Sequence, residues 1–134
     1  VHVIYVPVEF RPDFLQYARA YYAADSFGLV GKTHDAVYEA IHQLHTVPGE
    51  GDAPDEGKIA AFYAKYGAKP DEFLQAMDGF AVNVKIAKAK QFAMRSRITS
   101  TPSIVVNGKY LVKGKSWEDN LRITDLLIAS ERGR

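Results

Sequence analysis

Three groups of residues in this chain could take part in chemistry, and cysteine is absent from the sequence. The first is Thr101-Pro102, inside the run Ser100-Thr101-Pro102-Ser103. Proline lowers the cost of a cis peptide to about 0.5–1 kcal/mol, against about 2.5–4 for other residues. A cis bond there would turn the Thr101 backbone outward, where an extended peptide could add as a short strand. A trans proline would merely begin an edge strand. Proline chemistry alone leaves both readings of Thr101 and Pro102 open. The second group is His34, His42 and His45, on or beside one predicted helix with Glu39. A separation of three residues between His42 and His45 could hold a metal. No cysteine or suitably spaced carboxylate completes a tetrahedral set, so solvated histidines are the reading and no metal site is expected. The third group is basic. Between Gly79 and Trp117 there is no acid, while Lys85, Lys88, Lys90, Arg95, Arg97, Lys109, Lys113 and Lys115 all occur. Such a stripe can mark nucleic-acid binding, but Lys85 and Lys88 flank an apolar stripe, as on the wet side of an amphipathic helix. No nucleic-acid partner is expected.

The elements that must position these residues belong to a chain of 134 residues, 47% apolar and 25% charged, with a formal net charge of +1. That length suits one compact domain and is too short for two of ordinary size. Near-neutral charge gives no global field toward nucleic acid or membrane, and no apolar run reaches the roughly 18 residues of a bilayer span. The chain opens on Val1 in mid-pattern, without an initiator Met, a leader or a tag. The expectation from this is a fragment.

Residues 1–8, Val-His-Val-Ile-Tyr-Val-Pro-Val, are β-branched and apolar enough for a strand buried on both faces, with pairing limited by Pro7. A helix is predicted from Pro12 to Phe27 with Gly28 as its stop. Thr33 should cap a second, carrying Val37, Ile41 and Leu44. Thr46 to Gly57, rich in Pro, Gly and acids, reads as an exposed loop. A third helix spans Glu56 to Tyr66, stopping at Gly67. A long helix should start at Pro70 and last to about Arg97, with Phe73, Met77, Phe80, Val84, Ala87 and Met94 along one stripe. Residues 103–106 and 109–112 flank Asn107-Gly108, which tolerates the positive φ of a type I′ hairpin turn. Ser116 and Asp119 form a capping-box variant that opens a last helix with Trp117, Leu121, Leu127 and Ile128. The aromatic residues Tyr17, Tyr21, Tyr22, Tyr38, Phe62, Tyr63 and Tyr66 are expected in core packing, with a few beside Pro102.

Strand, helical block, long helix, hairpin, helix is the order in which the second part of a DsbA-type disulfide oxidoreductase is built. The chain resembles that family at Ser100-Thr101-Pro102-Ser103, at the Val-Asn-Gly-Lys-Tyr string of residues 106–110, and at Ala18 to Ala24 followed by Gly28 and Thr33-His34. The resemblance implies an α/β, thioredoxin-like fold with an inserted helical domain and its N-terminal βα segment missing from this chain. Residues 1–8 would be a strand of the thioredoxin-like domain, 12–97 the helical insertion ending in a linking helix, and 98–134 its ββα unit.

The same resemblance implies an oxidoreductase of the periplasm. Its Cys-x-x-Cys pair, at a helix N-terminus that lowers the thiol pKa, is expected upstream of Val1, so no catalytic residue is expected in this chain and the chain alone should be inactive. By the same resemblance Thr101 and Pro102 would be the substrate-binding residues, with Pro102 facing those cysteines. Partners would be reduced exported proteins with exposed cysteines and the membrane reoxidant DsbB, with no cofactor. The strand of residues 1–8 carries Tyr5 near a position where some members of the family have a buried lysine. A glutathione-dependent isomerase or transferase of the same fold, using an upstream serine, is an alternative. Another is a non-catalytic peptide-binding module or a proteolytic remnant. With the central strand of a thioredoxin-like sheet absent, strand exchange with a neighbouring chain is also expected.

Overall fold

The computed structural model describes residues 1–133, and the last residue of the 98–134 segment lies outside them. The chain divides into two units, Val1–Lys90 and a second from Gln91 onward. The division falls inside a helix.

In the first unit, α1 spans Pro12–Ser26 and starts on a proline whose missing N–H costs nothing in the first turn. It stops where expected. Gly28 adopts φ +70°, its N–H donates to the Asp25 carbonyl (3.0 Å), and the Leu29 N–H donates to Ala24 (2.9 Å). This pair of bonds satisfies the last carbonyls and turns the chain straight into α2, Val30–His42. The expected cap at Thr33 is thereby displaced. Thr33 lies inside α2, buried, with its hydroxyl donating to the Leu29 carbonyl at 2.7 Å. Helix α3, Glu56–Ala64, is capped by Asp55, whose carboxylate accepts from the Lys58 N–H at 3.1 Å.

The long helix predicted from Pro70 is two helices, α4 (Pro70–Met77) and α5 (Phe80–Arg95). The break falls at Asp78-Gly79, and Arg19 holds it by donating to the Met77 carbonyl (2.9 Å) and the Asn83 side chain (2.7 Å). A break shifts the phase of everything after it. Phe73 and Met77 are fully buried as expected, but Phe80, Val84 and Met94 are 84%, 36% and 71% exposed. The residues of α5 that pack inward are Val82, Ile86 and Ala89.

The core of this unit is aromatic on one side and alanine on the other. Phe73 stacks between Tyr63 (ring centroids 4.4 Å) and Phe27 (6.0 Å). Ala18, Ala20, Ala23 and Ala24 of α1 are all buried, and their small side chains let neighbouring helices approach closely. Fully burying a Phe or Met side chain stabilises by about 1.5–3 kcal/mol. The loop after α2 is strapped to α1 by polar bonds. Asp13 accepts from the Gly51 N–H (2.9 Å), Gln16 from the Asp55 N–H (3.0 Å), and Tyr17 donates to the Pro48 carbonyl (2.5 Å).

Residues 1–8, expected as a strand, form none. A strand exists only through ladder hydrogen bonds with a neighbour, and no described segment pairs with this one. Val1, Val3 and Ile4 are exposed, while Tyr5 stacks its ring on His34 of α2 at 4.6 Å.

The second unit holds a short antiparallel hairpin and a helix. Strands β1 (Val105–Val106) and β2 (Tyr110–Leu111) pair Val105 with Leu111 and Val106 with Tyr110. At the turn, Asn107 and Gly108 both take positive φ (54° and 68°), and the Lys109 N–H donates to Val106 at 3.0 Å. Helix α6, Trp117–Arg132, is capped by the Ser116 hydroxyl, which accepts from the Asp119 N–H at 3.0 Å. The reciprocal bond of a capping box falls one residue early here. The Asp119 carboxylate accepts from the Lys115 N–H at 3.0 Å. Gly114 fits tightly beside it, since a Cβ there would sit 2.7 Å from the Asn120 and Asp119 oxygens.

Candidate functional site

Thr101 and Pro102 occupy the link between α5 and the hairpin, and local chain chemistry fixes that link at both ends. Helix α5 ends with Arg97 in the left-handed region (φ 56°), its N–H donating to Met94 (3.2 Å) and the Ile98 N–H to Ala93 (2.9 Å). This is the same helix stop as at Gly28, built on arginine instead of glycine. At the other end the Val112 N–H donates to the Ile104 carbonyl at 3.0 Å, which anchors the start of the hairpin. Between them the Ser103 hydroxyl donates to the Ser100 carbonyl at 2.6 Å, and the Thr101–Pro102 peptide bond is cis.

Thr101, Pro102 and Ser103 are all exposed. Among the described residues neither the N–H nor the C=O of Thr101 makes a hydrogen bond. Further along, the ladder leaves a second free edge. Ile104 and Val106 direct their backbone groups to β2, so those of Val105 face the opposite side, where no described strand pairs. The segment is thus a short stretch of exposed backbone with open donors and acceptors, the kind of surface that an extended peptide can join.

The electrostatics of this unit are set by paired carboxylates. Glu131 accepts from Lys109 Nζ and Asn107 Nδ2, both at 3.0 Å, tying the tip of the hairpin to the last turn of α6. These two donors hold its carboxyl below the usual glutamate range, Lys109 most strongly. Asp119 is likewise held low, first by the Lys115 N–H and then by Arg122, which bonds it at 2.6 Å. Sequence reasoning missed Glu131, because nothing local at the end of α6 signals a partner 22 residues upstream.

No side chain beside Thr101 can supply redox sulfur, since the sequence has no cysteine. The hydroxyls of Ser100, Thr101 and Ser103 have no histidine base in their own unit, as all four histidines precede residue 46. Those at 34 and 42 do something the sequence did not announce. Tyr5, His34, Tyr38 and His42 form a continuous ladder of rings along α2, at successive centroid separations of 4.6, 5.2 and 6.1 Å. Tyr38 lies between the two imidazoles, and no metal-binding group of three or more His, Asp or Glu gathers among the described residues. The phenols of Tyr17 and Tyr63 are pushed up by burial, Tyr63 to about 12, which marks them as core groups. No described helix is long and apolar enough to cross a membrane.

Comparison with known proteins agrees with this architecture. The sequence profile of the DSBA-like thioredoxin domain matches residues 2–124. The thiol:disulfide interchange protein DsbA of Pseudomonas syringae pv. tomato is 33% identical over 98% of this chain and 61% of its own length. The chain thus spans about three-fifths of that relative. Among solved structures, the oxidoreductase DsbA from Xylella fastidiosa is similar at 42% identity and a TM-score of 0.89, over 96% of this chain and 68% of its own. DsbA of Pseudomonas aeruginosa gives 30% identity and a TM-score of 0.80, over 98% and 68%. The profile match covers most of the chain and these relatives are all DsbA proteins, and the chain belongs to the DsbA family of thioredoxin-like proteins.

Proposed function

We propose that this chain is the substrate-presenting part of a periplasmic thiol:disulfide oxidoreductase that oxidises cysteine pairs in exported proteins. The match to the DSBA-like thioredoxin domain across residues 2–124 carries this reading. It is supported by the exposed, unpaired backbone of Thr101 within that span. In this reading Thr101 and Pro102 hold the substrate as a short added strand, while the redox cysteines come from sequence outside these 134 residues.

The chemistry then runs by thiol–disulfide exchange. A substrate thiolate attacks the enzyme disulfide, forming a mixed disulfide and releasing one enzyme thiolate. The second substrate thiolate attacks the mixed disulfide, which closes the substrate disulfide and leaves the enzyme as a dithiol. Two electrons and two protons pass from substrate to enzyme, and a membrane partner of the DsbB kind takes the electrons onward. This chain contributes position to that sequence and no sulfur.

The test is a pair of measurements on the 134-residue chain. A reduced-peptide oxidation assay is expected to show no turnover. An extended, cysteine-free peptide is expected to bind, and Thr101→Pro, which deletes the backbone donor, to weaken it at least about tenfold, roughly 1.4 kcal/mol. Turnover by the chain alone, or peptide affinity indifferent to Thr101→Pro, would overturn the reading.

A further inference from the structure

The break at Asp78-Gly79 leaves an apolar row on the outside of α5. Phe80, Val84, Ala87, Gln91 and Met94 follow one another in steps of four, three, four and three residues. That spacing is the seam along which one helix packs on another. All five are exposed, Phe80 and Met94 most of all. The inward face of the same helix, Val82, Ile86 and Ala89, is separately filled, so the outer row is a second apolar surface on one helix.

The flanks of this row say what kind of surface would cover it. On one side lie Ala81, Lys88 and Arg95, on the other Asn83 and Lys90. Lys88 and Arg95 make no ion pair among the described residues, and Lys90 is only loosely paired, 3.9 Å from Glu9. Every charge flanking the seam is therefore positive. A second copy of this helix would offer these cations no acid, and would bring Lys90 beside Arg95 in a parallel pair or Lys88 beside its duplicate in an antiparallel one, which like-charge repulsion opposes. A bilayer surface takes a wide apolar face, whereas this row is one residue across and contains Gln91.

We propose that the outer face of α5 docks a partner helix of complementary chemistry. That helix is amphipathic, with an apolar a/d row against Phe80, Val84, Ala87 and Met94, and acidic residues at e and g against Lys88, Lys90 and Arg95. The apolar seam supplies most of the affinity, and the charge pattern selects the partner. This assignment is independent of the peptide platform at Thr101.

The probe is a labelled synthetic helix of three heptads with Leu at a and d and Glu at e and g, set beside a twin carrying Lys at e and g. Fluorescence anisotropy with the full 134-residue chain is expected to show binding of the Glu helix at least about tenfold tighter than the Lys twin. Raising salt from about 0.05 to 0.5 M should weaken it at least about fivefold. The pair Phe80→Asp with Met94→Asp should reduce binding at least about tenfold. Both side chains are exposed, so an unchanged helical circular-dichroism signal should accompany that loss. Equal binding of the two probes, no binding of either, or retention by the double variant would overturn the proposal. So would concentration-dependent dimers in sedimentation, or vesicle binding that the double variant abolishes.

Discussion

The two units solve the same problem, holding helices in place, with opposite materials. In Val1–Lys90 the packing is apolar. Phe73, Met77 and Ala60 are fully buried, Ile59 nearly so, and Tyr63 and Phe27 stack on Phe73. From Gln91 onward the only buried apolar residues described are Val106 and Val112, and α6 has no buried residue at all. Glu131 ties the hairpin turn to α6 through Asn107 and Lys109, and the start of α6 is held by further polar bonds: Ser116 with Asp119, Asp119 with Lys115 and Arg122, and Asn120 with Gly114. Apolar burial has no charge for acid to titrate or for salt to screen, whereas exposed ion pairs and charge-assisted caps are sensitive to both. One chain should therefore show two kinds of stability.

The sharpest way to break that contrast is to truncate one apolar side chain in each unit. Phe73→Ala should destabilise the first unit by about 3–5 kcal/mol through the cavity it leaves. Leu121→Ala, at a position 47% exposed, should change stability by no more than about 0.5 kcal/mol. Thermal melts of the two variants check this, and comparable losses would contradict the division of labour.

Acid sharpens the comparison next. Asp119 and Glu131 have folded-state pKa values below their ordinary 3.8 and 4.5. Their contribution is fully present above those ordinary values and is lost as pH falls through the lower folded values. Asp13 behaves the same way, held low first by the Gly51 N–H, but it secures only the loop strapped to α1. Hydrogen exchange below about pH 4 should therefore show the amides of Gly51 and Lys115 losing protection while those inside α3 and α4 keep it. Simultaneous loss everywhere would mean the units unfold as one.

The smallest effect concerns the two helix stops. Gly28 and Arg97 occupy equivalent left-handed positions, and a side chain there costs about 1–2 kcal/mol. Arg97→Gly should raise the stability of α5's last turn, by at most about 1 kcal/mol once the added chain flexibility is counted. Exchange at Ile98 measures it.

These same elements show where the sequence was readable. Gly28, Asn107-Gly108 and Ser116 announce their turns and caps because the signal is confined to neighbours in the chain. Thr33 misled for an equally local reason, since the tight stop at Gly28 carried the chain into α2 before Thr33 could cap it. The row from Phe73 to Met94 was read as one stripe because periodicity does not reveal a break at Asp78-Gly79 that Arg19 stabilises from another helix. Residues 1–8 have the composition of a strand, but composition does not provide a ladder partner. At the candidate site, the exposed turn at Thr101-Pro102 was legible from proline chemistry and family likeness. Glu131 and Asp13 were not, because each matters through partners 22 to 38 residues away.

The ladder of rings on α2 also gives the molecule a built-in reporter. Tyr5 lies face to face with His34 at 4.6 Å, within a segment that has no ladder bonds to hold it. Aromatic ring currents shift the resonances of protons lying above a neighbouring ring, so the carbon-bound imidazole protons of His34 should resonate upfield while Tyr5 covers them. Following that one signal in a proton spectrum reads the docking of the first residues onto α2 without any label.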